Sequence, residues 1–168
     1  MPARDVPQIR SANEDDLPEV LRLDREVFPE DPYPYFVLRQ HFDGHGDRIL
    51  VIDNGKGLQG YALFVTTSDG RASWVLSLAV SADQRGQGLG RRLMGAVLAK
   101  LRSECVHEVR LTVDPTNDAA IRLYESLGFS REGEERKNYL GPGKHRLIMT
   151  LELRTGVIPR MNSGVARM

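Results

Sequence analysis

The chain predicts an α/β fold built on a mixed, mostly antiparallel sheet of about six to seven strands, with helices on both faces. Three observations lead there. Short apolar segments of β character, bounded by turn residues, lie at 47–53, 58–67, 72–80 and 108–113. The first three follow one another through tight turns, which is an antiparallel meander. Segments of helical period then separate the later strands, and an element order of β-α-α-β-β-β-α-β-α-β-β requires crossovers on both sides of a sheet.

Residues 1–7 read as a flexible start, and Gln8 to Ser11 as a short first strand. Asn13 is placed to cap a helix. Glu14, Asp15 and Asp16 in its first turn complement the positive pole of the dipole. Leu17, Val20, Leu21 and Val27 give that helix an apolar face as far as Phe28, where Pro29, Pro32 and Pro34 end it. A second, short helix is expected over 36–42. Between the two, Phe-Pro-Glu-Asp-Pro-Tyr-Pro-Tyr-Phe (28–36) is the most unusual loop of the chain, stiff at its prolines and rich in flat amphipathic rings. Phe28 and Phe36 read as rings closing the edge of the core. Tyr33 and Tyr35 serve equally well as core plugs or as a wall for a bound molecule.

Asn54-Gly55-Lys56-Gly57 carries the Asn-Gly signal of a hairpin between 47–53 and 58–67, and Ser68-Asp69-Gly70 turns the chain into 72–80. Trp74 reads as packing. Leu89, Leu93, Met94, Val97, Leu98 and Leu101 share one helical face, so a helix runs to about Glu104. Strand 108–113 alternates Val109, Leu111 and Val113 with polar residues. Asp114-Pro115-Thr116-Asn117 then caps a helix with Ala120, Leu123, Tyr124 and Leu127 on its apolar face, ended by Gly128. Segments 129–138 and 146–153 read as a closing pair of strands around Leu140-Gly141-Pro142-Gly143. Residues 8–153 thus form one domain, followed by a mobile tail at 154–168.

Composition narrows the function. At 168 residues there is room for one sizeable core. Lys plus Arg (23) equals Asp plus Glu (23), so no net charge points to nucleic acid or an anionic membrane. No apolar run approaches the ~18 residues of a membrane span, and no signal-peptide pattern is present, so a cytoplasmic setting is expected. Cys105 is the single cysteine, which rules out an internal disulfide and suggests neither a zinc cluster nor a redox pair. Near the end of a core-facing helix, it reads as a small packing residue.

The organising stretch runs from Leu76 to Met94. A β-type run ends in a turn with glycine at 86, 88 and 90, and that turn opens directly into a helix. The first amides of a helix lack internal partners and carry partial positive charge. Glycines let an anion approach the backbone without meeting a Cβ, and Arg85, Arg91 and Arg92 add fixed cations. The turn therefore reads as a binding site for an anionic cofactor. The Gly-x-Gly-x-Gly spacing is neither a Walker loop, which needs a following Lys-Ser or Lys-Thr, nor the Gly-x-Gly-x-x-Gly dinucleotide fingerprint. A nucleotide-binding reading also lacks a magnesium-ligand pattern.

Gln84-Arg85-Gly86-Gln87-Gly88-Leu89-Gly90 resembles the Q/R-x-x-G-x-G/A acetyl-CoA loop of the GCN5-related N-acetyltransferases (GNAT). Asn117, with Ala120 to Phe129, resembles that family's later N-x-x-A-x-x-L-Y-x-x-x-G-F motif. The resemblance covers roughly residues 8 to 153. It implies a fold whose fourth and fifth strands splay apart to admit the pantetheine of acetyl-CoA. Leu78, Ala79 and Val80 would then offer backbone to the pantetheine, Arg85, Gly86, Gln87, Gly88, Leu89 and Gly90 would hold the diphosphate with Arg91 nearby, and Asn117 would lie beside the arm.

The implied reaction is direct attack of a primary amine on the thioester through a tetrahedral intermediate. It needs a neutral amine, a donor for the oxyanion and a proton for the departing thiolate. By resemblance, the Val80 backbone amide is the oxyanion donor and Tyr124 the general acid, and the 28–36 loop lines the acceptor side. Around Tyr124, at Asn138-Tyr139 and at Gly141-Pro142-Gly143, the sequence is similar to the ribosomal-protein alanine N-acetyltransferases, which suggests a protein or peptide N-terminus as acceptor, with Tyr139 beside it. Those enzymes carry a glutamate on the fifth strand where this chain has Thr112. Glu26, Asp31 or a chain of ordered water could stand in, and the sequence does not choose between them. An α-amine with pKa near ~8 needs less help than a lysine near ~10.4. Two other readings stay open: a catalytically inactive acyl-CoA-binding or sensor module, and an N-acetyltransferase for polyamine- or aminoglycoside-type small molecules. A homodimer is common in the family.

Overall fold

The computed structural model describes residues 6–153, so the expected tail at 154–168 and most of the flexible start lie outside the described residues. The strands are β1 (Gln8–Ser11), β2 (Ile49–Asp53), β3 (Leu58–Thr66), β4 (Ala72–Val80), β5 (Glu108–Val113), β6 (Ser130–Arg131) and β7 (Leu147–Glu152). The helices are α1 (Leu17–Val27), α2 (Tyr35–His45), α3 (Leu89–Ser103) and α4 (Asp118–Ser126). One seven-stranded sheet carries them in the order β1-β2-β3-β4-β5-β7-β6. All neighbours are antiparallel except β4 and β5, which run parallel.

Two cores pack on opposite faces of the sheet. Leu93, Met94, Val97, Leu98 and Leu101 of α3 join Ile121 and Tyr124 of α4 against Ala62, Phe64, Val75, Leu111 and Met149. On the other face, Leu17, Val20 and Leu23 of α1 and Leu38 of α2 cover Val51, Tyr61, Leu63 and Ala79. The side of the sheet on which each helix lies follows from the face on which its strand partners keep their apolar residues.

The feature that makes the site is in β4. Ser77 opposes Leu63 on β3 and Val75 opposes Phe64, so Leu76 is an extra residue, a β-bulge. Pairing of β4 to β5 runs only from Ala72–Glu108 to Val75–Leu111 and stops at that bulge. Beyond it β4 stays with β3 while β5 stays with β7, and a gap opens between them.

Three expectations need correction. The closing pair of strands is broken: β6 keeps only Ser130 and Arg131, with an isolated bridge from Arg136 to Arg146 further on. Gly133 and Asn138, both at positive φ, turn the chain out of the strand between these points. Cys105 is exposed rather than packed, at φ 60 just past the end of α3. Phe36 does not close the core edge; it is 63% exposed, whereas Phe28 packs partly against the second core.

Candidate active site

Backbone direction alone determines what β4 offers to the gap. The Ser81 N–H bonds the Gln59 carbonyl at 2.8 Å, so residue 81 faces β3. Strand backbone groups alternate sides, and in an antiparallel ladder each residue turns its N–H and C=O the same way. Leu78 and Val80 therefore direct their N–H and C=O groups into the gap. Ala79, expected to share that role, turns its polar groups toward β3, where its carbonyl lies close to Gly60.

Past β4 a 3-10 turn (Ala82–Gln84) leads to the glycines. Gly86 and Gly88 adopt φ of 79° and 74°, and a Cβ at either would meet nothing within 4 Å. Glycine is needed there for the left-handed backbone, and the space above is open. Gly88 is the N-cap of α3 and supplies no side-chain cap, so the first amides of a 15-residue helix are left for an external acceptor. Arg91 donates to the Ser126 hydroxyl on α4, Arg92 to the Pro7 carbonyl, and Arg85 reaches back to the Val80 carbonyl at 3.4 Å. None of the three forms an ion pair with a described residue.

The loop is held in place by two side chains from outside it. Glu26, exposed at the end of α1, accepts from the Ala82 N–H at 3.1 Å and the Ser81 hydroxyl at 3.3 Å. Gln59 on β3, almost wholly buried, donates to the Gln84 side-chain oxygen at 3.1 Å.

On the far side of the gap, Asn117 caps α4 by accepting from the Ala120 N–H at 3.1 Å. Two helical turns later Tyr124 is buried in the first core, its ring 5.9 Å from that of Phe129. Its hydroxyl bonds no described residue, and burial pushes its pKa up to about 12. Thr112 lies on the face of β5 opposite Val109, Leu111 and Val113, half-buried beside the gap.

The loops expected to line the acceptor side are tied together differently. Asp24 sits among the apolar positions of α1 and is 1% exposed. It accepts from the Tyr61 hydroxyl and, at 2.5 Å, from the Tyr33 N–H. Burial raises the pKa of both the Tyr33 and the Tyr61 phenols, and the Ser77 hydroxyl lies beside the two. Tyr33 is thereby half-buried against β4, while Tyr35 is exposed. Asp31 pairs with Lys144, joining the α1–α2 loop to the β6–β7 loop. Tyr139, on the latter loop, packs under the Arg136 guanidinium, 5.6 Å from its ring.

The family model described as Acetyltransferase (GNAT) family matches residues 8–129. The chain belongs to this family. It is 30% identical over 157 residues to an N-alpha-acetyltransferase of Sulfolobus acidocaldarius, covering 87% of this chain and 92% of that protein. A 64-residue stretch is 52% identical to a mycothiol acetyltransferase of Thermobispora bispora, spanning 38% of this chain and only 22% of that protein. The crystal structure of the ribosomal-protein-S18-alanine N-acetyltransferase from Escherichia coli has a TM-score of 0.75 and 27% identity, with 88% of this chain and 94% of that one covered.

The residues of this GNAT protein fit acetyl-CoA. Open glycine backbone, uncapped helix amides and arginines with no ion pair to a described residue suit a diphosphate, and the unpaired β4 edge at Leu78 and Val80 suits the amides of a pantetheine. As for a base, Glu26 is committed to the loop and Asp31 to Lys144. The Asp24–Tyr61–Tyr33 cluster and the Lys144 contact were missed by sequence reasoning. A carboxylate at position 24, in register with Leu17, Val20 and Val27 on α1, was the available signal for the first. No local pattern announces a contact between residues 31 and 144.

Proposed function

We propose that the protein transfers the acetyl group of acetyl-CoA to the α-amine of a polypeptide amino terminus. The supporting observation is the state of the acceptor-side carboxylates: Asp24, Glu26 and Asp31 each already hold protein donors, and Thr112 cannot act as a base. A reaction run without a dedicated strong base suits the weakest common amine base. At pH 7 about a tenth of an α-amine is already neutral, against less than about a thousandth of a lysine. The similarity to proteins named as N-alpha- and ribosomal-protein alanine N-acetyltransferases supports the same acceptor.

Acetyl-CoA supplies the activated acetyl group. The loop amides from Arg85 to Gly90, with Arg91, hold its diphosphate, and Leu78 and Val80 hold its arm beside Asn117. The Val80 N–H, directed into the gap, donates to the carbonyl oxygen where negative charge develops. The Tyr124 phenol, kept protonated across neutral pH by burial, gives its proton to the departing thiolate. The α1–α2 loop, with Tyr33 and Tyr35, and the β6–β7 loop, with Tyr139, flank the entering amine. The proposal includes a cytoplasmic setting, where new polypeptides present free amino termini.

The test is a set of acceptors incubated with acetyl-CoA and read by thiol release and mass spectrometry: a peptide with a free N-terminus, the same peptide N-blocked with an internal lysine, spermidine and an aminoglycoside. Acetylation of the free N-terminus in preference to the others is expected. Turnover of the small amines with none of the peptide would overturn the proposal. A melting-temperature rise with acetyl-CoA but no turnover of any amine would instead favour the sensor reading.

A further inference from the structure

Large apolar side chains are not scattered over this surface. Tyr35, Phe36, Leu76, Tyr139 and Leu140, all between 41% and 63% exposed, lie on the three segments that border the acceptor side of the gap; Val6 is the one exception among the described residues. These segments are far apart in sequence yet joined in space. Asp31, just ahead of Tyr33 and Tyr35, pairs with Lys144. The Leu140 N–H bonds the Lys144 carbonyl at 3.2 Å. Tyr33 lies beside Ser77, the residue after Leu76. An apolar rim held together this way marks a binding surface on a soluble domain.

Charge says what kind of molecule the rim receives. A polyamine or aminoglycoside carries several ammonium groups and needs several free carboxylates. Here Asp24 is bonded to Tyr61 and Tyr33, Glu26 to Ser81, Ala82 and Arg22, and Asp31 to Lys144. On the α1–α2 loop only Glu30 stands exposed without a partner among the described residues; on the β6–β7 loop Glu134 and Glu135 do so too, but ahead of the Arg136–Arg146 bridge that precedes Tyr139 and Leu140. Five apolar side chains, with Asp24, Glu26 and Asp31 beside them already bonded, match a molecule with one ammonium and an apolar body. Leu76 brings the rim to the point where β4 leaves β5, so whatever follows the reacting amine crosses it on leaving the gap.

We propose that the acceptor is an amino terminus followed by apolar residues, aromatic or aliphatic at the second and third positions, which lie on this rim. This rests on the N-terminal acceptor reading above and specifies its sequence preference.

The experiment measures kcat/KM for peptides of equal length that share alanine at position one and carry Leu-Phe, Gly-Gly or Asp-Glu at positions two and three. The Leu-Phe peptide is expected to exceed the Gly-Gly peptide by about tenfold or more, the yield of burying one or two apolar side chains. Phe36→Ala and Tyr139→Ala are expected to shrink that ratio severalfold, mainly through KM. Both are surface changes, and an undiminished melting-temperature rise with acetyl-CoA checks that each variant is folded. Equal kcat/KM for all three peptides overturns the rim assignment and leaves N-terminal acetylation standing. A preference for Asp-Glu, or a Leu-Phe advantage untouched by both variants, also overturns it. Turnover of spermidine with no peptide turnover overturns both readings together.

Discussion

The two halves of the gap are built in opposite ways. The proposed cofactor half comes from one continuous stretch, β4 to α3, and its charged and backbone groups are left largely open: uncapped amides at Gly88, arginines without ion pairs to described residues, and strand backbone at Leu78 and Val80 with no β5 neighbour. The acceptor half comes from loops more than a hundred residues apart, and its polar groups are consumed by one another, as in Asp31–Lys144 and the Asp24–Tyr61–Tyr33 cluster. Free polar groups recognise a fixed anionic partner. Mutually satisfied ones make a rigid frame, and on the proposed reading leave the apolar side chains around it to choose the acceptor.

The sharpest way to break this contrast is at Tyr124, where the halves meet. Tyr124→Phe removes the proposed proton donor and keeps the ring against Phe129, so kcat is expected to fall by about a hundredfold or more with acetyl-CoA affinity unchanged. Steady-state kinetics beside calorimetric titration of the cofactor check it. The pH profile gives the same residue a sign. Burial holds the phenol protonated to about pH 12, so the wild-type rate should climb as the amine loses its proton near ~8 and remain level beyond it. A fall beginning between pH 8 and 10 would remove Tyr124 from the acid role.

Next in size is the cofactor loop. Gly88→Ala forces a Cβ onto a backbone at φ 74°, which costs about 1–2 kcal/mol and should weaken acetyl-CoA binding about tenfold. KM for the acceptor should move little, and if both constants move together the halves are not separable.

Glu26 tests the link between them. If it only mounts the loop through Ala82, Glu26→Gln keeps an acceptor oxygen and retains most activity, while Glu26→Ala weakens acetyl-CoA binding severalfold. Were Glu26 the base, both variants would be equally damaged and the acid limb of the pH profile would change.

The smallest effect belongs to the loop-to-loop ion pair. Asp31 and Lys144 are substantially exposed, and such pairs are worth about 0–1 kcal/mol, so Asp31→Ala or Lys144→Ala should raise acceptor KM less than about fivefold. The exchanged pair Asp31→Lys with Lys144→Asp should restore it, and added salt should mimic the single variants.

These differences track what could be read in advance. The order of elements, the meander, the glycine turn and the Asn117–Tyr124 helix were legible because each depends on residues within a few turns of one another: period, cap and turn chemistry are local. The shortened β6 was not, since 130–138 carries no apolar side chain and the length of a strand there is decided only by how far it stays beside β7. Nor was the exposure of Phe36 and Cys105, because an aromatic ring or a thiol is packed only if the fold brings something against it.

By itself, then, the sequence determined the layered sheet, the glycine turn into α3 and the family. Only the tertiary structure decided which backbone groups of β4 reach the gap, that Glu26 and Asp31 are occupied, and which five apolar side chains share one rim. The physical reason is distance along the chain. A bulge at Leu76 is defined by its register against β3, and an ion pair between residues 31 and 144 by the meeting of two loops that no local propensity connects.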